Sequence, residues 1–216
     1  MRFAEAVRRL GSLPDPLPDA PSALMPVLAA TGEPRPDRLF GVTGEPRPAS
    51  VLVLIVPDDL GGDAGEARVV LTERVSYDGH HSGEVSFPGG KAEPGDVDHI
   101  ATALREAREE VGLDAGGAGV EILGVLDQVW IPVSGFRITP VLAIARRRPS
   151  LVADPAEVVR IVEAPLASFL PSAEIPIVER RVREWDLRHG VYLVEGLSVW
   201  GATARILGQL GAVVGD

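Results

Sequence analysis

The sequence predicts a single α/β or α+β sandwich, strands mixed with two or three helices. Three observations carry this. A continuous β-branched run, SVLVLIV at residues 50–56, has the pattern of a strand buried on both faces. Further strand-like runs are interleaved with helical ones, as expected of layered α and β structure. Of the 216 residues, 45% are apolar and 24% charged, enough apolar side chains for one sizeable core.

The elements follow in chain order. Residues 1–48 form a Pro-rich N-terminal extension that opens on a short helix and holds nine of the nineteen prolines. Proline fixes φ and removes a backbone donor, so regular structure is not expected at that density. TGEPRP occurs at both 31–36 and 43–48, and is read as a locally duplicated linker, one pair being too few for a repeat array. The main domain is expected at 49–210, followed by a tail at 211–216. After the strand at 50–56, ARVVLTE (67–73) predicts a second, and EVSF (84–87) a third that stops at Pro88-Gly89-Gly90. Residues 98–111 predict a helix closed by Gly112. Strands are expected at 122–129 and 138–145, with shorter ones at 160–163 and 191–194. A helix at 199–210 comes last.

Composition excludes several function classes. With 21 Lys plus Arg against 31 Asp plus Glu the net charge is −10, which disfavours a phosphate-tracking nucleic-acid binder. The absence of cysteine excludes disulfides, thiolate metal sites and cysteine nucleophiles. No apolar run approaches the ~20 residues needed to span a bilayer, and the N-terminus has no signal-peptide core. The expectation is a cytoplasmic protein acting on a small molecule, without nucleic-acid or membrane partners. A homodimer is left open.

The chemistry concentrates on the helix DHIATALREAREEV (98–111). Ile100, Leu104, Ala107 and Val111 make an apolar stripe, and Glu106, Glu109 and Glu110 gather three carboxylates on the opposite side. Like charges at that spacing destabilise a helix by roughly a few tenths of a kcal/mol per pair. A hard divalent cation, which prefers oxygen ligands, would offset this. Alone, such a face is a solvated surface with Arg105 and Arg108 as counter-charges. Here it follows Phe87-Pro88-Gly89-Gly90, where glycine lets backbone N–H groups approach an anion. A phosphate turn beside a metal helix is the layout of a phosphoanhydride hydrolase.

Gly90…Arg105-Glu106-Ala107-Arg108-Glu109-Glu110-Val111-Gly112-Leu113 resembles the Nudix box, G-x5-E-x7-R-E-U-x-E-E-x-G-U, where U is aliphatic. Asp96 stands where Glu is usual, Ala107 takes an aliphatic position, and the first half is one residue longer. Residues 70–90, VLTERVSYDGHHSGEVSFPGG, are similar to the motif L-L-T-x-R-S-x3-R-x3-G-x-V-x-F-P-G-G of the coenzyme A diphosphatase subgroup, with Val75 replacing Ser and Gly79 replacing Arg. Trp200-Gly201-Ala202-Thr203-Ala204-Arg205 also resembles that subgroup.

The resemblance implies a Nudix-type α/β/α sandwich with a mixed β-sheet. It implies metal-dependent hydrolysis of coenzyme A, or a derivative, to 3′,5′-ADP and 4′-phosphopantetheine. Glu106 and Glu110 would hold Mg²⁺ or Mn²⁺, with Glu109 a third ligand or an outer base. Arg105 would orient a box glutamate, and Arg74, Gly89 and Gly90 would meet the substrate. His80, His81 or Arg137 would compensate for Gly79, and Asp127 or Glu157 would supply a base from outside the box. The alternatives are hydrolysis of ADP-ribose, NADH or another nucleoside diphosphate derivative, and a non-catalytic nucleotide-sensing module. The loop 132–136 is read as a plain turn, and Trp200 as packing.

Overall fold

A computed structural model of the chain describes residues 1–34, 45–58, 64–75, 84–182 and 184–215. Helix α1 (Phe3–Leu10) buries Phe3, Ala6 and Leu10, spaced as one helical face. Strands β1 (Val27–Leu28) and β2 (Arg47–Pro57) follow, the latter buried from Ala49 onward as the apolar run at 50–56 predicts. Next come β3 (Ala67–Arg74), β4 (Val85–Ser86), β5 (Gly89–Lys91), α2 (His99–Val111) and α3 (Ala115–Ala118). The second half supplies β6 (Val120–Val125), β7 (Val129–Ile131), β8 (Phe136–Ala145) and β9 (Val158–Pro165). It closes with β10 (Ile177–Val182), β11 (Trp185–Gly190), β12 (Tyr192–Val194), β13 (Leu197–Val199) and α4 (Gly201–Gly215).

The main sheet runs β4–β3–β2–β8–β6, with β5 also paired to β2, β7 to β8 and β9 to β3. β2 and β8 run parallel while β3 and β5 pair antiparallel with β2, so the sheet is mixed, as predicted. Alternation along β2 divides the core in two. Leu52, Leu54 and Val56 face α2 and α3; Val51, Val53 and Ile55 face α1 and α4. Helices thus cover both faces, giving the α/β/α sandwich.

The structure departs from the sequence expectations at several places. The strand expected at 122–129 is two, because the ladder bulges between Ile122 and Gly124 and the Asp127 backbone N–H bonds Gln209 of α4. Gly89-Gly90, expected as a turn, begins β5 and pairs with Val51 and Ser50. The last helix runs five residues beyond Leu210, so most of the expected tail at 211–216 is helical, and Val214 is fully buried. Residues 1–34, although proline-rich, pack into the same core: Phe3 N–H bonds the Gly65 carbonyl, and Gln209 Nε2 donates to the Pro18 carbonyl at 3.1 Å. A small sheet, β1–β11–β10, had no counterpart in the sequence reading. The middle of the duplicated TGEPRP stretch lies outside the described residues.

Candidate active site

Helix α2 is defined at both ends by its sequence. The Asp98 side chain caps it by accepting from Ala101 N–H at 2.7 Å, and Gly112 ends it in the left-handed conformation, φ 64°. Its packed face differs slightly from the predicted stripe. Ala103, Ala107 and Val111 are buried and Ile100 and Leu104 half-buried. This orientation takes Glu110 out of solvent as well, so the three glutamates do not share one exposed face.

The carboxylates diverge in environment. Glu110 is 2% exposed; its Oε2 accepts from Gly89 N–H at 3.0 Å and its Oε1 lies 3.2 Å from Arg74 Nη1. Burial pushes its pKa up to about 7 against the pull of Gly89 and Arg74, and the charges of Glu106 and Glu157 add to the rise. Glu106, largely covered, is raised too, chiefly by burial, and only partly offset by Arg105 Nη1 at 3.0 Å. Glu109 is half exposed and lies 2.9 Å from the same Arg105 nitrogen.

Arg105 ties this helix to the preceding loop. Its Nε and Nη2 each donate to Asp96 at 3.1 Å, and Nη2 also donates to the Lys91 carbonyl at 3.0 Å. Asp96 further accepts from Glu93 N–H at 2.9 Å and Thr102 Oγ1 at 3.0 Å. Arg105, foremost among these, holds the Asp96 carboxyl well below the usual carboxylate range, and Asp96 raises Arg105 in return. The shorter acid in the lengthened loop therefore forms a complete two-toothed pair.

Both glycines sit at close approaches, Gly89 against backbone and Gly90 against a side chain. A Cβ on Gly90 would lie 2.6 Å from the Glu106 carboxylate, and Gly89, at φ 155°, has no room for one beside the Ser50 carbonyl. Beyond them, on the α4 side of the sheet, opens a cleft of about 640 Å³ that includes Arg74, Gly89 and Gly90. Its walls are largely apolar, among them Val129, Ile131, Ile138, Val182 and Leu187. The bare backbone of β5 thus separates a carboxylate pair on one side from a large cleft on the other.

The predicted residues fall unevenly around this centre. Arg105, Glu106, Glu109, Glu110, Arg74, Gly89 and Gly90 are gathered at it. The exposed Glu157 adds its charge to the field on Glu106 and Glu110, whereas Asp127 is held by Gln209 Nε2 at 2.6 Å. Arg137 is exposed on β8 and is not part of the cleft lining. Gly79, His80 and His81 lie outside the described residues. The turn 132–135 joins β7 to β8 as expected and lines the cleft. Trp200 lines it too, its ring stacked on His189 and covered by the Arg180 guanidinium 4.5 Å from the centroid. Sequence reasoning missed Arg47 and Lys91 as cleft residues. Their signal was the two-residue alternation that puts them in phase with Val51 and Gly89.

Two carboxylates on one helix face, both raised in pKa by burial, fit a hard cation that takes its remaining ligands from phosphate and water. Among the described residues no three His, Cys, Asp or Glu side chains are grouped as a cage. No described helix is long and apolar enough to cross a membrane.

An α/β/α sandwich with this helix beside a glycine-bearing strand has the architecture of the Nudix class. The NUDIX domain model matches residues 46–182, and the chain belongs to that family. It is 36% identical over 167 residues to an uncharacterized Nudix hydrolase, NudL, of Enterobacter sp. (strain 638), covering 77% of this chain and 82% of the relative. It is 38% identical over 164 residues to the chloroplastic Nudix hydrolase 22 of Arabidopsis thaliana, covering 71% of this chain but only 52% of that one. The chain thus spans about half the length of this relative and of the mitochondrial Nudix hydrolase 15, where coverage is again 52%. Among solved structures, the M. smegmatis Nudix hydrolase RenU aligns with a TM-score of 0.46 at 22% identity, over 58% of this chain and 74% of that one.

Proposed function

We propose that the chain hydrolyses the pyrophosphate of coenzyme A, or of a coenzyme A derivative, to 3′,5′-ADP and 4′-phosphopantetheine. The observation that carries this reading is the junction at Gly89-Gly90. There only the backbone of β5 lies between the buried pair Glu106 and Glu110 and a large, mainly apolar cleft, with room for a diphosphate at Gly89-Gly90 and a long organic arm beside it. The upstream residues Leu71-Thr72, Arg74, Gly83, Val85 and Phe87-Pro88 match the coenzyme A diphosphatase pattern and favour that substrate over ADP-ribose or NADH.

Glu106 and Glu110 would hold Mg²⁺ or Mn²⁺. When bound, such an ion polarises a phosphoryl oxygen and lowers the pKa of water. Hydrolysis adds one water across the anhydride: the hydroxyl joins one phosphorus, the P–O bond breaks, and the departing phosphate leaves with its oxygen. Arg105 fixes Glu106 through Nη1 while Asp96 occupies the rest of its fork, a positioning role. Arg74 spends one Nη on Glu110 and lines the cleft with the remainder, where it can meet a phosphate. Glu109, half exposed, serves as the outer carboxylate rather than an enclosed ligand.

Mass spectrometry of products from coenzyme A, ADP-ribose and NADH, each with Mg²⁺ or Mn²⁺ and with chelator, tests the proposal. Metal-dependent 3′,5′-ADP and phosphopantetheine are expected. AMP from ADP-ribose or NADH, with coenzyme A intact, would replace the substrate while leaving the hydrolase in place.

A further inference from the structure

The cleft has a second basic end that the reaction centre does not use. Along β2, Arg47, Ala49 and Val51 face the cleft, and Lys91 of β5 stands directly opposite Ala49. On the other flank Phe136 of β8 stands beside Arg47. Arg74, by contrast, is paired with Glu110. Arg47 is held in a defined pose: its Nη2 donates to the Ser134 carbonyl at 2.6 Å and its guanidinium lies over the Phe136 ring, 4.1 Å from the centroid. Neither contact neutralises it. Lys91 lines the cleft, and its backbone carbonyl accepts from Arg105 Nη2 at 3.0 Å. Neither Arg47 nor Lys91 forms a salt bridge with a carboxylate among the described residues. Two such cations on one wall, in a chain of net charge −10, make a local positive end in a negative protein.

Spacing sets what this end can hold. Lys91 is two residues along β5 from Gly89, roughly 7 Å at the usual strand rise, and Arg47 is four residues along β2 from Val51, roughly 13 Å. Lys91 is therefore within a ribose's span of a diphosphate seated at Gly89-Gly90, with the fixed fork of Arg47 behind it. We propose that Lys91 and Arg47 form a second anion subsite that takes a phosphomonoester carried on the nucleotide apart from the diphosphate. This rests on the coenzyme A reading and deepens it, because the 3′-phosphate is such a group. Guanidinium and ammonium then divide the work, the first as a planar donor fork and the second as a point charge.

The test is calorimetric binding of 3′,5′-ADP and 5′-AMP, which differ only in that phosphate, to the full chain in chelator at low salt. The wild-type protein is expected to bind 3′,5′-ADP at least about ten-fold tighter than 5′-AMP, on the scale of a charge-assisted contact. The R47Q/K91Q variant should bring the ratio near one, and K91R should keep it. Equal wild-type affinities, no measurable binding of 3′,5′-ADP at millimolar concentration, or an unchanged ratio in R47Q/K91Q would each overturn the subsite. The wild-type comparison needs no substitution, so a poorly folding variant leaves the test intact. Discrimination without coenzyme A cleavage keeps the subsite and removes the coenzyme A reading. Cleavage without discrimination removes the subsite alone.

Discussion

Asp96 and Glu110 are both carboxylates close to Arg105 in sequence, and they meet opposite environments. Asp96 receives two Arg105 nitrogens, a backbone N–H and the Thr102 hydroxyl, and its pKa falls. Glu110 is buried with one backbone N–H and one arginine nitrogen, beside the charges of Glu106 and Glu157, and its pKa rises to about 7. The difference separates an acid that holds the loop to the helix from one whose charge is left in need of a cation. Residue type and spacing alone do not distinguish them; the surrounding donors do.

The largest effect is expected within the buried carboxylate pair, where Glu106 is raised by burial as Glu110 is. Glu106→Gln removes a charge and keeps the shape, and kcat should fall about a hundred-fold or more with the fold intact by circular dichroism. Near wild-type turnover would erase the distinction between the two groups of acids. Gly90→Ala tests the same carboxylate sterically, since the added methyl group collides with it. It should cost about ten- to a hundred-fold in kcat/KM and weaken metal binding, so that activity saturates only at a higher metal concentration.

Next comes a difference of sign in pH dependence, read from urea midpoints of the metal-free protein. Asp96, lowered from 3.8, contributes stability present above that value and lost as pH falls below it. Glu110, raised from 4.5 to about 7, favours the fold when protonated, so its contribution is lost as pH rises from 4.5 through about 7. Asp96→Asn should flatten the acid limb and Glu110→Gln the neutral one; the reverse pattern would show the assignment to be inverted. The smallest change belongs to Glu109→Gln, about three-fold or less in kcat, because an exposed ion pair with Arg105 is mostly screened. A loss matching that of Glu106→Gln would move Glu109 into the metal site.

Much of this was legible in the sequence. Asp98 and Gly112 bracket α2 because capping is local, and the β2 and β8 runs are apolar enough to announce buried strands. What was not legible depended on distant partners. IVERRV and WDLRHG, which become β10 and β11, alternate charge without a clear apolar face and are set by pairing with each other and with β1. Gly89-Gly90 has no strand propensity and is recruited by β2. The prolines obscured the packing of α1, although Phe3, Ala6 and Leu10 carried the helical spacing. At the site, the box residues were readable from their order, but the burial of Glu110 was not: it follows from how α2 rolls against β5. The cleft beside Gly89-Gly90 likewise required the fold.

Glu106 and Glu110, and not Glu109 or Asp96, are the acids proposed to hold the cation. Manganese titration followed by electron paramagnetic resonance, on the wild-type chain and on Glu106→Gln, Glu110→Gln, Glu109→Gln and Asp96→Asn, addresses this assignment without turnover. Loss of tight Mn²⁺ binding in the first two variants and its retention in the last two is the expected result. Equal Mn²⁺ affinity in the wild type and in both Glu106→Gln and Glu110→Gln would contradict it.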